Sequence, residues 1–171
     1  MDHLRHPAES EIARLNDRLE LLEAERAILR TLYAYGHATD RGDAHAWADL
    51  FTDDGVCDVQ DPASGPVQRS VKGREALAAL MRGFARPPRS RHRHLLIEPV
   101  VELDADLTSA TATSYFAVLR EHEGAPCVWA FGRYLDELVR EHDGVWRFRR
   151  RTAALDSLDA AQPPLAEGQR A

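Results

Sequence analysis

The chain has 171 residues, 44% hydrophobic and 29% charged, with a formal net charge of -6 at pH 7. Those values fit one soluble globular domain with a single sizeable core. The acidic balance argues against nucleic acid and anionic membrane as partners, no apolar run is long enough to span a bilayer, and the polar start MDHLRHPAESEIARLNDRLE lacks the apolar core of a secretion signal.

Residues 1–8 carry no pattern and read as a disordered N-terminus. From Glu9, with Ser10 as a candidate cap, Leu15, Leu19, Leu22, Ile28, Leu29 and Leu32 recur at helical spacing. Charges interleave the first leucines as in a short coiled coil, so residues 9–20 read as a helical extension. Gly42 ends this helix. A short second helix follows, with Asp43 as N-cap and Ala46, Trp47, Leu50 and Phe51 as its apolar face. GVCDVQD and VQRSVKG read as strands around the turn PASGP, and REALAALMRGF as a third helix stopped before Pro87-Pro88.

The second half is strand-like. RHRHLLIEPVVELD, SATATSYFAVLREH, CVWAFGRYLDELVREH and VWRFRRRTAALDS are separated by turns, the last holding the hairpin signal Asp143-Gly144. Helices first and an antiparallel meander last predict an α+β fold, its sheet curling beneath the helices around a pocket. The domain spans 9–157, and 158–171 read as a flexible tail. Cys57 and Cys127 match no metal spacing, and a reduced cytoplasmic protein is the simpler reading.

Chemistry-bearing residues gather at two places. In TLYAYGHATDRGD a regular helix turns polar, and Tyr35 and Asp40 fall on its last turns, about 140° apart on an ideal helix. Tyr35 suits a core tyrosine as well as a pocket wall. Asp40 opposes the helix dipole, so it is either solvated or held by a cation. In RSRHRHLLIEPVVELD, His92 and His94 share one strand face, opposite Arg91 and Arg93. A histidine pair hints at metal, but no third ligand stands at a supporting spacing, so no metal or other cofactor is expected. In WRFRRR, Trp146 and Phe148 share a face, and Arg147, Arg149 and Arg151 the other unless a bulge intervenes. There is no phosphate loop, nucleophile elbow or Cys-His nucleophile pattern.

Together AERAILRTLYAYGHATDRGDAHAWADLFTDDGVCDV, GREALAAL, RHRHLLIEPVVELDADLTSATATSYF and GRYLDELVREHDGVWRFRRRTA resemble the SnoaL-like branch of the nuclear-transport-factor-2-like superfamily, over about residues 20–157. The resemblance implies a cone: a curved, mainly antiparallel sheet closed by N-terminal helices around an apolar cavity. It implies polyketide cyclases, dehydratases, isomerase-like enzymes or non-catalytic subunits. Carried over residue by residue, it makes Asp40 the acid of an Asp-His pair and His94 its base, with His92 in that place if the register is two off. It adds Tyr35 as a hydroxyl donor and Arg151 as the arginine after the W-x-F strand. Many relatives have Asn where this chain has Glu98, before Pro99, which puts a possible second acid in the pocket. Trp47, Glu98, Tyr115, Trp129 and Phe131 are the expected substrate contacts. The resulting expectation is a dehydratase-type lyase acting on a hydrophobic cyclic or polyketide-like molecule. A cyclase or isomerase with the same pair, a ligand-binding protein and an oxygenase subunit are the alternatives. Such relatives assemble as trimers or dimers through the outer sheet face, so a homo-oligomer is expected.

Overall fold

The computed structural model describes residues 5–60, 67–84, 92–122 and 124–158. In chain order they form α1 (Arg5–Arg41), α2 (Ala44–Ala48), β1 (Phe51–Gln60), β2 (Val67–Lys72), α3 (Arg74–Gly83), β3 (His92–Leu103), β4 (Ser109–His122), β5 (Ala125–Arg140) and β6 (Trp146–Leu158). The fold is α+β. Six strands make one curved, unclosed sheet in the order β2-β1-β6-β5-β4-β3, antiparallel except where β1 runs parallel to β6. The expected turn PASGP, the Pro87-Pro88 stop and the tail from Asp159 lie outside the described residues.

α1 starts at Arg5, earlier than its sequence pattern, so Ser10 lies inside the helix rather than capping it. Its two halves differ. Residues 9–23 are exposed throughout, including Ile12, Leu15, Leu19 and Leu22. Ala24, Ile28, Leu32, Tyr35 and Ala38 then recur every three or four residues and are all buried. The buried half is pinned to the start of β6, where the Thr31 hydroxyl donates to the Trp146 carbonyl at 2.8 Å. Gly42, at φ 70°, turns the chain out of the helix. The Asp43 carboxylate then caps α2 by accepting the Ala46 N–H at 3.0 Å. α2 is shorter than its apolar pattern: Phe51 already belongs to β1, and its ring packs on Trp47 and Phe148.

Bulges decide which strand residues face inward. On β6, Phe148 pairs with Leu138 and Arg150 with Glu137, leaving Arg149 as an extra residue. Side-chain parity reverses there, so Trp146 and Phe148 are followed inward by Arg151 rather than by another apolar residue. The conditional expectation for this strand therefore resolves toward the bulge. On β3, Glu98 and Pro99 together oppose Ser114, and Glu98 has a φ of 49°. On β5, Trp129 is the extra residue between the pairs Val118–Ala130 and Leu119–Val128.

The core centres on the inward Arg151. Its side chain has no solvent exposure and forms a two-point ion pair with the cross-strand Asp136, both contacts 2.7 Å. The guanidinium carbon lies 4.1–4.2 Å from the ring centroids of Tyr35, Tyr134 and Phe148. Removing one member strands a buried charge, whereas removing both leaves an apolar gap. Arg151→Met is expected to cost about 3–5 kcal/mol, a fall of roughly 6–20 °C in Tm for a chain of this size. The double variant Arg151→Met/Asp136→Leu should lose clearly less. Equal losses by calorimetry would mean that packing, not charge pairing, sets the value.

Candidate active site

The last turns of α1 meet the start of β3 at a glycine. A Cβ on Gly36 would lie 3.2 Å from the His94 carbonyl oxygen and 3.5 Å from the His94 Cβ. This absence of a side chain lets the helix lie directly against the strand. Asp40, about one turn further along α1, then reaches across. Its carboxylate accepts the His94 backbone N–H with both oxygens at 3.2 Å, and Oδ1 lies 2.7 Å from His94 Nδ1. An ionised carboxylate only accepts, so Nδ1 carries the proton and Nε2 is left with the lone pair.

Burial pushes the Asp40 carboxyl up, but the hydrogen bonds and positive potential of His94, with a smaller contribution from His92, outweigh it and hold the carboxyl below its usual range. The carboxylate form is therefore the resident one at neutral pH. His92 is buried beside the pair, with Nε2 3.9 Å from Asp40 Oδ1 and its ring edge-on to His94, the centroids 5.7 Å apart. Asp40, His92 and His94 place three ligand atoms within 4.8 Å of one another, close enough to hold a divalent ion. The third donor that chain spacing lacked is thus Asp40, contributed by another element. In the structure, however, its Oδ1 is engaged directly with His94 Nδ1 as a hydrogen bond.

Two cavities flank the pair. An outer one of about 520 Å³ lies between α1 and β3 and is lined by Tyr33, Tyr35, Gly36, His37, Asp40, Arg41, His94 and Tyr134 among others. An inner one of about 200 Å³ lies within the cone, among Trp47, Met81, Phe84, His92, Phe116, Arg120 and Trp129. Tyr35, His94 and Tyr134 line both. Burial keeps both phenols protonated, against the opposing pull of Arg151, so each can donate a hydrogen bond but not act as a base. Burial also pushes the Cys57 thiol up to about 12, with Arg151 and a hydrogen bond with Tyr35 acting in the other direction. Neither Cys57 nor Cys127 is in a disulfide, and Cys57 is no nucleophile in this environment.

The other residues singled out from sequence divide. Trp47 and Trp129 line the inner cavity. Arg151 lines neither: it lies behind Tyr35 and Tyr134 and reaches the cavities through their rings. Glu98 is exposed, because the β3 bulge turns it outward, and it lines neither cavity. Tyr115 and Phe131, at 53% and 47% exposure, stand on the outer sheet face beside Leu95, Ile97 and Leu135. Tyr134 and Arg120 were missed. Both lie on the inward alternation of their strands. Arg120 ends the inward series Ala112, Ser114, Phe116, Val118, where a cation on an otherwise small or apolar face was a readable signal.

The depressed Asp40 has a defined consequence. Its stabilising contribution is fully present above the ordinary carboxylate range, near pH 4, and is lost as pH falls toward the lower folded value. Asp40→Asn should therefore flatten the acid limb of the Tm–pH curve below about pH 4 and cost stability at pH 7. It should also release His94 from a single tautomer in nitrogen-15 NMR. An unchanged acid limb together with an unchanged tautomer would contradict this account.

The family profile described as "SnoaL-like domain" matches residues 20–152. An NTF2-like protein with a cystatin-like fold from Novosphingobium aromaticivorans is similar at 27% identity and a TM-score of 0.69, covering 87% of this chain and 92% of that one. ActVI-ORFA from Streptomyces coelicolor is similar at 27% identity and a TM-score of 0.64, covering 77% and 96%. A Catenulispora acidiphila protein, solved in complex with S-DNPA, is similar at 26% identity and a TM-score of 0.64, covering 77% and 92%. No curated protein matches the chain. With the profile spanning most of its length and the same curved sheet in its structural relatives, the chain belongs to the SnoaL-like domain family.

Proposed function

We propose that this chain is a cofactor-independent, dehydratase-type lyase acting on a hydrophobic cyclic or polyketide-like small molecule, with His94 as general base. The observation that carries the reading is the 2.7 Å contact between Asp40 and His94 Nδ1, made by a histidine that borders both cavities. Asp40 holds the ring in the tautomer that keeps Nε2 basic, and it stabilises the imidazolium formed when Nε2 takes a proton. The proton comes from a C–H next to a carbonyl, where the carbanion is delocalised as an enolate. Tyr35 hydrogen-bonds the developing oxygen charge or the departing hydroxyl, and the proton taken by His94 Nε2 is passed to that hydroxyl, which leaves as water and restores the neutral imidazole. Tyr134 stands beside it as a second donor. Arg151 acts through these phenols as a positioning residue: its charge beneath their rings favours partial negative charge on their oxygens.

A relative held in complex with S-DNPA supports a small-molecule ligand for this fold. The same proton abstraction followed by ring closure or reprotonation gives the cyclase or isomerase outcome. The exposed apolar residues of the outer sheet face, Leu95, Ile97, Tyr115 and Phe131, supply the surface for self-association in this reading.

Incubation with a panel of β-hydroxy ketones, followed by mass spectrometry, should show loss of one water. Unchanged mass with altered retention would mean cyclisation or isomerisation, and recovery of every compound unaltered would favour a binding protein. On any compound that turns over, His94→Ala should lower the rate by about 10²-fold or more. Near-wild-type turnover in that variant would remove His94 from the chemistry. Turnover should also survive chelation by EDTA. Loss on chelation and recovery with zinc would instead assign Asp40, His92 and His94 to a metal.

A further inference from the structure

The inner cavity has an asymmetry that proton abstraction does not use. Its walls are largely apolar, from Leu80, Met81, Phe84, Phe116, Val118 and Ala153. Two arginines also line it: Arg69 of β2, which is exposed, and Arg120 of β4, whose guanidinium carbon lies 3.5 Å from the centroid of the Trp129 ring. Among the described residues no carboxylate pairs with Arg120. Arg120 Nε is buried without a hydrogen-bond acceptor among the described residues, and so are the indole N–H groups of Trp129 and Trp47, two further residues that line the same cavity. Burial accordingly lowers the Arg120 pKa, with Cys127 the one group acting against it. Three residues lining one largely apolar space thus each hold a buried N–H with no acceptor among the described residues, and leaving such groups unmatched is costly. A stacked guanidinium keeps its N–H edge free, and that edge matches the two oxygens of a carboxylate.

We propose that the inner cavity selects an apolar ring compound carrying a carboxylate, with Arg120, held flat on Trp129, as the residue that binds the anion. The inference deepens the lyase reading by naming the substrate class, and it rests on the inner cavity being the substrate site. The placement suits the chemistry. Arg120 is paired in register with His92 on β3, and His94 is the next inward residue along that strand. One inward step is about 7 Å of strand. A carboxylate on Arg120 would therefore set the body of a ring system between the anchor and the base, with the acidic C–H at the end away from the carboxylate.

The test is binding, which needs no turnover. Benzoate, naphthalene-2-carboxylate and anthracene-2-carboxylate are titrated calorimetrically against their matched primary amides, using the full chain at neutral pH. At least one carboxylate should bind about tenfold or more tighter than its amide, the scale of a charge-assisted hydrogen bond. Arg120→Gln should erase that preference while leaving amide affinity within about threefold. Arg120→Lys, which keeps the charge without the flat stacked fork, should retain only part of it. If Arg120→Gln does not fold, by circular dichroism, Arg120→Lys and the wild-type acid–amide comparison decide. No preference in any wild-type pair, lack of binding included, or a preference that survives Arg120→Gln, would overturn the proposal. His94→Ala should keep the carboxylate preference. A failure of the base assignment would appear as turnover persisting in His94→Ala, and a failure of the anion site as loss of the acid–amide difference in the wild type.

Discussion

A charged group with no access to solvent organises the centre of this molecule. Arg151 and Asp136 are joined at two points on adjacent strands, with three aromatic rings around the guanidinium. Isolated charges of this kind are prohibitive in an apolar core, so every surrounding element is constrained to serve the pair. The sheet supplies the carboxylate from β5. The buried half of α1 supplies Tyr35, whose ring also touches Trp47 and Phe51 and so links the second helix and the first strand to the same centre. What results is a rigid wall, one ring deep, with Tyr35 and Tyr134 on the cavity side and the cation behind. Phenols positioned in this way are donors of fixed direction, which is the property a developing oxyanion requires.

The second junction depends on a missing side chain. α1 can approach β3 because Gly36 has nothing to place against His94. The close approach then turns Asp40 from a helix-end acid, disfavoured by the dipole, into the acceptor for three hydrogen-bonding contacts from one histidine. The two backbone contacts fix where β3 starts, and the ring contact fixes the tautomer. Fold and candidate chemistry are therefore held by the same carboxylate, and Asp40 variants will read on both. Acid stability and tautomer have to be measured alongside any activity.

The parts legible in the sequence were those where local pattern and tertiary role coincide. The apolar stripe Ala24 to Ala38, the Gly42 stop, the Asp43 cap and the alternating strands needed only periodicity and turn chemistry. Asp40 and His94 could be suspected as partners because one ends a helix and the other opens a strand. Side-chain direction along the strands was legible only as far as the next bulge. Strict alternation puts Arg151 on the polar face of β6 unless a bulge intervenes, and the extra Arg149 is that bulge. Glu98 turned outward with the β3 bulge, and Phe131 parted from Trp129 because Trp129 is itself the bulged residue. Strand period is two, so one inserted residue exchanges the two faces, and no window of composition records the insertion.

The same logic explains why the missed residues were polar groups among apolar ones. Arg120 continues the inward alternation of β4 without a break, yet a cation at the end of such a series is read by habit as the point where the strand leaves the core. In the folded chain the strand has not left: Trp129, displaced by its own bulge, comes across and covers the guanidinium. The bulge that separates Phe131 from the cavity thus also creates the stacked pair within it. A pocket built this way has two unlike ends. The Asp40-bound histidine faces one end, and a cation faces the other with no carboxylate paired to it among the described residues. If the two ends act as proposed, a substrate that satisfies both is itself unlike at its two ends, with a carbon acid at one and an anion at the other.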